Sequence, residues 1–65
     1  MTEKPIWTQE SSRHYTLNLA DRRVEVRYEA AGFQSAWAIV VGSRVVERCQ
    51  EFMQARGVAL AVASR

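Results

Sequence analysis

Two stretches of the chain alternate strictly between apolar and polar positions. In HYTLNL, residues 14–19, Tyr15, Leu17 and Leu19 share one face while His14, Thr16 and Asn18 share the other. In RVEVRYE, residues 23–29, Val24, Val26 and Tyr28 stand opposite Arg23, Glu25, Arg27 and Glu29. A period of two marks a half-buried strand. Joining the two apolar sets on one face predicts an antiparallel hairpin with Leu19 opposite Val24, Leu17 opposite Val26 and Tyr15 opposite Tyr28. A four-residue loop, Ala20–Arg23, is preferred over Asp21–Arg22, because no glycine marks a two-residue primed turn.

Ala30-Ala31-Gly32 ends the second strand, and SAWAIVVG supplies a third. Trp37, Ile39 and Val41 fall on one of its faces, Ala38 and Val40 on the other. A strand apolar on both faces is either covered on both sides or meets a partner. After Gly42 the period lengthens. Val45, Val46, Cys49, Phe52 and Met53 form one stripe of a 3.6-residue helix, with Ser43 suited to its N-cap and Gly57 to its C-terminal cap. The rival reading makes Gly42-Ser43 a hairpin turn and RVVERC a fourth strand, with the helix starting near Phe52. The complete helical stripe favours the helix from Ser43. The tail VALAVASR reads as a strand through Val58, Leu60 and Val62, or as helix continuing past Gly57.

Residues 1–12 are polar around Pro5 and read as an N-terminal arm whose Trp7 folds back onto the body; residues 13–65 form the single domain. The fold class is α+β: a small antiparallel β-meander of three or four strands, with one amphipathic helix from the C-terminal third packed on one face.

Composition narrows the picture. A chain of 65 residues buries only about 60% of its unfolded surface, near the lower limit for independent folding. The lone Cys49 permits no internal disulfide, and with a single histidine, His14, beside it the chain is poorly supplied for a four-ligand zinc site. Self-association is the remaining support for so small a domain. No apolar run approaches the roughly 20 residues of a transmembrane helix. MTEKPIW lacks the hydrophobic core of a signal peptide. A soluble, cytoplasmic protein without membrane contact is expected.

The net charge is +2, and eight of the nine basic residues are arginine. Arginine suits phosphate recognition, but a GC-rich coding sequence enriches arginine and alanine together. His14 falls on the outward face with no acid placed to complete a triad, Cys49 lies on the apolar stripe, and no glycine-rich phosphate loop is present. No catalytic, cofactor-binding or metal-binding residue is assigned, and an enzyme is not expected.

Two functions remain. The first is a small non-enzymatic protein-interaction module of the subunit, adaptor or inhibitor type. It would form a homodimer, or bind another protein, through Ala38, Val40, Val58, Leu60 and Val62. The second is a sheet-type DNA-binding protein using Arg22, Arg23 and Arg27, with Arg13 beside them. Three strands followed by a helix resembles the topology of integrase N-terminal and plant AP2-type domains, whose sheet enters the major groove; the resemblance is one of topology alone. The outward row Arg23, Glu25, Arg27, Glu29 is nearly neutral, which favours a solvated strand face over a nucleic-acid surface.

Overall fold

Alternating sequence is converted into five strands followed by one helix. The computed structural model describes residues 4–31 and 34–65. Its elements are β1 (Ile6–Ser11), β2 (His14–Leu19), β3 (Arg22–Ala31), β4 (Gln34–Val41), β5 (Arg44–Cys49) and α1 (Phe52–Ala63). The strands form one antiparallel sheet in the order β1-β2-β3-β4-β5. The α+β meander with a C-terminal helix is therefore as expected, with more strands than the sequence pattern marked out. The segment read as an arm contributes β1, which pairs with β2 through Trp7↔Leu17 and Thr8↔Thr16.

The β2–β3 register differs from the expected one by two residues. Leu17 lies opposite Val24, Tyr15 opposite Val26 and Leu19 opposite Arg22, leaving Ala20-Asp21 as a two-residue loop. A shift of two keeps every side chain on its face, so burial cannot choose between the registers. Loop geometry chooses. Ala20 takes φ 57, the left-handed conformation that a tight hairpin needs even without glycine.

The helix expected from Ser43 does not form. Gly42 and Ser43 have φ 56 and 68, so both central residues of the turn are left-handed, as a type I′ hairpin requires. RVVERC then pairs with β4 from Val41↔Arg44 to Trp37↔Cys49. Val45, Val46 and Met53, expected on a buried stripe, are exposed, and Met53 is 70% exposed. The helix begins at Phe52 and runs through Gly57, which settles the tail as helix.

Helix α1 buries Ala55, Ala59 and Ala63, spaced four apart on one face. These methyl groups lie against Leu17, Val24, Val26, Ile39 and Cys49. Short side chains let the helix axis approach the sheet closely, and Phe52, Val58, Leu60 and Val62 flank the contact. At the C-terminal end, the Ser64 hydroxyl donates to the Leu60 carbonyl at 2.8 Å, and Arg22 Nη1 donates to the Val62 carbonyl at 3.5 Å.

Both edge strands are irregular. In β1 the register shifts between Gln9 and Ser11, leaving Glu10 as the extra residue. In β5, Glu47 pairs with Ile39 and Val45 with Val40, leaving Val46 unpaired as a bulge.

Candidate functional site

Twelve helical residues rise about 18 Å, whereas ten strand residues span about 33 Å; α1 and β3 have these lengths. The C-terminal turn of α1 lies beside Arg22, and its first residue, Phe52, lies beside Tyr15 and Trp37. The β3–β4 ladder continues from Tyr28↔Trp37 to Ala31↔Gln34. One end of the helix-side face is thus left to aromatic side chains.

Trp37 is the hub. Its ring centroid lies 4.7 Å from that of Phe52, 5.2 Å from Tyr28 and 6.0 Å from Tyr15. Tyr15 and Phe52 are 4.7 Å apart. The interplanar angles run from 43° to 60°, the tilted and edge arrangements that aromatic quadrupoles prefer. Two cations lie over rings at the margins. The Arg13 guanidinium carbon is 5.6 Å from the Tyr28 centroid, and that of Arg56 is 5.2 Å from Trp7. Trp7, Tyr15, Phe52 and Arg56 line a pocket of about 150 Å³. All five rings are half-buried, while the fully buried core is aliphatic: Leu17, Val24, Val26 and Ile39.

The opposite face of the sheet carries charge. His14 Nε2 and Glu25 Oε1 are 2.9 Å apart, and Arg27 Nη2 donates to the same oxygen at 2.9 Å. Arg27 and His14 hold the Glu25 carboxyl below its usual range against an opposing effect of burial. Farther along, Arg48 Nε donates to Glu29 Oε1 at 3.2 Å. Sequence alone placed no acid beside His14; Glu25 reaches it diagonally across the β2–β3 ladder. Among the described residues no hydroxyl or thiol hydrogen-bonds to His14, and the Ser11 Oγ instead accepts the Arg13 amide at 3.1 Å. Cys49 lies on the other face, buried, with its thiol pKa pushed up by desolvation and then by Glu47. No group of three or more histidine, cysteine, aspartate or glutamate side chains among the described residues could hold a metal. No helix among them is long and apolar enough to cross a membrane.

The expected contact residues are not gathered on one surface. Ala38 and Val40 point to the charged face yet are only 0% and 7% exposed, screened by their neighbours. Val58, Leu60 and Val62 lie on α1, packed toward the core from the other side. The candidate arginines divide similarly. Arg23 and Arg27 lie with Asn18 and His14 on the charged face. Arg13 covers Tyr28, and Arg22 reaches the end of α1. The aromatic end was absent from the sequence reading as a site. Alternation placed Tyr15, Tyr28 and Trp37 on the helix side, but a helix beginning at Ser43 would have covered them. No family model, curated protein or solved structure matches this chain.

Proposed function

We propose that this protein is a small non-enzymatic protein-interaction module that binds protein partners through its aromatic end and also associates with itself. The observation that carries this reading is the set Trp7, Tyr15, Tyr28, Trp37 and Phe52, half-buried around the part of the sheet that α1 leaves uncovered, with Arg13 and Arg56 over the marginal rings. Tryptophan, tyrosine and arginine are the residues that dominate binding energy at protein interfaces: the aromatic rings bury large area with few rotatable bonds, and the planar guanidinium stacks on rings while donating several hydrogen bonds. A cytoplasmic setting accords with the unpaired thiol of Cys49.

The DNA-binding alternative is disfavoured by the scatter of its residues. Arg27 is engaged by Glu25, Arg48 by Glu29, and Arg13 and Arg22 lie on the other side of the sheet. A strand face of paired charges displaces few counterions.

Peptide-display selection on the wild-type protein, followed by titration with fluorescent single-stranded and duplex oligonucleotides, tests the choice. Selected peptides that lose at least about tenfold in affinity for Trp7→Ala or Arg56→Ala support the module reading. Oligonucleotide binding at physiological salt that weakens steeply with added salt, with no peptide selected, refutes it in favour of nucleic acid.

A further inference from the structure

We infer that the second copy docks edge to edge along β5, in the one register where Arg44 of each copy faces Glu47 of the other. This rests on the self-association part of the proposed function and specifies its surface.

The two sheet edges differ in chemistry. Strand β1, IWTQES, has Glu10 as its only charge and as its bulge residue. In any twofold pairing of β1 with itself, that carboxylate finds no cation on the facing strand. Strand β5, RVVERC, carries both signs and has the apolar Val46 at its bulge. Val45 and Val46 are 37% and 44% exposed, and β5 is a terminal strand of the sheet. An edge with exposed valines is a template for strand addition unless something blocks it.

The bulge and the charges together select the register: an axis between Val46 and Glu47 would also match faces, but it would set Arg44 against the buried Cys49 and Glu47 against Val46. In an unbroken strand, residues three apart point to opposite faces. Here Arg44 pairs with Val41 and Glu47 with Ile39, and both Val41 and Ile39 belong to the helix side. One extra residue therefore brings Arg44 and Glu47 to the same face. Two β5 strands running antiparallel about a twofold axis must place like faces together. Setting Val46 of either copy opposite itself would put Arg44, on the helix side, against Arg48, on the charged side; that register mixes faces. Placing the axis between Val45 and Val46 sets Arg44 against Glu47 of the second copy on the helix side, and the reverse by symmetry. The same register sets Val45 against Val46 and Arg48 against Ser43. The charges that would deter a foreign strand are thus complementary to themselves. A bulge that bends most edges away from pairing here fixes how this one pairs.

The test is a charge exchange read by light scattering on the purified 65-residue chain. Wild type should sediment or elute at twice its 7.4 kDa chain mass at high micromolar concentration. Arg44→Glu and Glu47→Arg should each weaken dimerisation at least about tenfold, since like charges then face each other twice. The double variant should recover to within about threefold of wild type, and the two single variants mixed should form a heterodimer. Both residues are exposed, and an amide spectrum confirms that each variant is folded; Val46→Lys gives an independent block should either fail. A monomeric wild type overturns the pairing and self-association together. A dimer indifferent to both single reversals overturns this register alone. In either case the aromatic end stands or falls separately by peptide binding.

Discussion

Gly57→Ala separates the observed helix from the one the sequence suggested. In the structure Gly57 is the sixth residue of α1, exposed, and beyond its chain neighbours and its own helix backbone nothing lies within 4 Å of the position a Cβ would take. Its φ lies outside the left-handed region. The new methyl therefore meets neither clash nor packing partner, and the change reduces to helix propensity. Alanine in a helix interior exceeds glycine by about 0.8–1 kcal/mol. For a domain near this size, about 1 kcal/mol raises Tm by roughly 4–8 °C. Far-ultraviolet circular dichroism during heating, with urea titration to obtain the midpoint at constant slope, measures it. If Gly57 instead closed a helix that began at Ser43, it would sit at positive φ, and alanine there would cost about 1–2 kcal/mol. The two placements predict opposite signs. A lowered Tm for Gly57→Ala would refute the helix as described.

Ala59→Leu inserts three carbons where the helix lies against the sheet, at a fully buried position; a loss of about 1–3 kcal/mol is expected by urea unfolding, and an unchanged midpoint would show that α1 does not rest on its alanines. Glu25 has a carboxyl pKa lowered chiefly by Arg27, so its contribution to stability is complete above the unfolded-state pKa and is lost as pH falls through the folded value. Glu25→Gln should accordingly flatten the acid limb of the stability curve, and an acid limb of undiminished slope would show the pairing to be idle. The raised thiol pKa and burial of Cys49 predict slow alkylation of native protein at pH 8 that accelerates sharply with urea; equal rates in both states would place the sulfur at the surface.

What could be read from the sequence was whatever depends on the period of two. The helix-side residues of β2, β3 and β4 follow from alternation, and Trp37, Ile39 and Val41 lie where that alternation put them. Registers differing by two residues share those faces, so the β2–β3 pairing was fixed by the loop at Ala20, whose left-handed φ alanine does not announce. RVVERCQEFM satisfies a helical stripe and a short strand alike. The Gly42-Ser43 turn decides for the strand, because it returns the chain alongside β4 before a helix can start. The aromatic end depends on where α1 begins, and so was hidden by the same ambiguity. Glu25 was read as part of a solvated charge row, and only the diagonal geometry of the ladder brings it to His14.

Strand order that equals chain order also governs how the molecule assembles. Each new strand needs only a short turn to meet its neighbour, so the sheet can zip from hairpin to hairpin with little loop entropy lost at each step. Folding rates rise as contacting residues lie closer along the chain, which places such a meander ahead of barrels and sandwiches of equal length. Only α1 must travel back, from beyond β5 to reach β2 and β3. Because α1 follows all the strands, ribosomal synthesis exposes the faces of Leu17, Val24, Val26 and Ile39 to water until the helix emerges and docks. That interval is when a nascent chain of this kind is open to chaperones and to aggregation, and the alanine stripe that ends it is made after every strand.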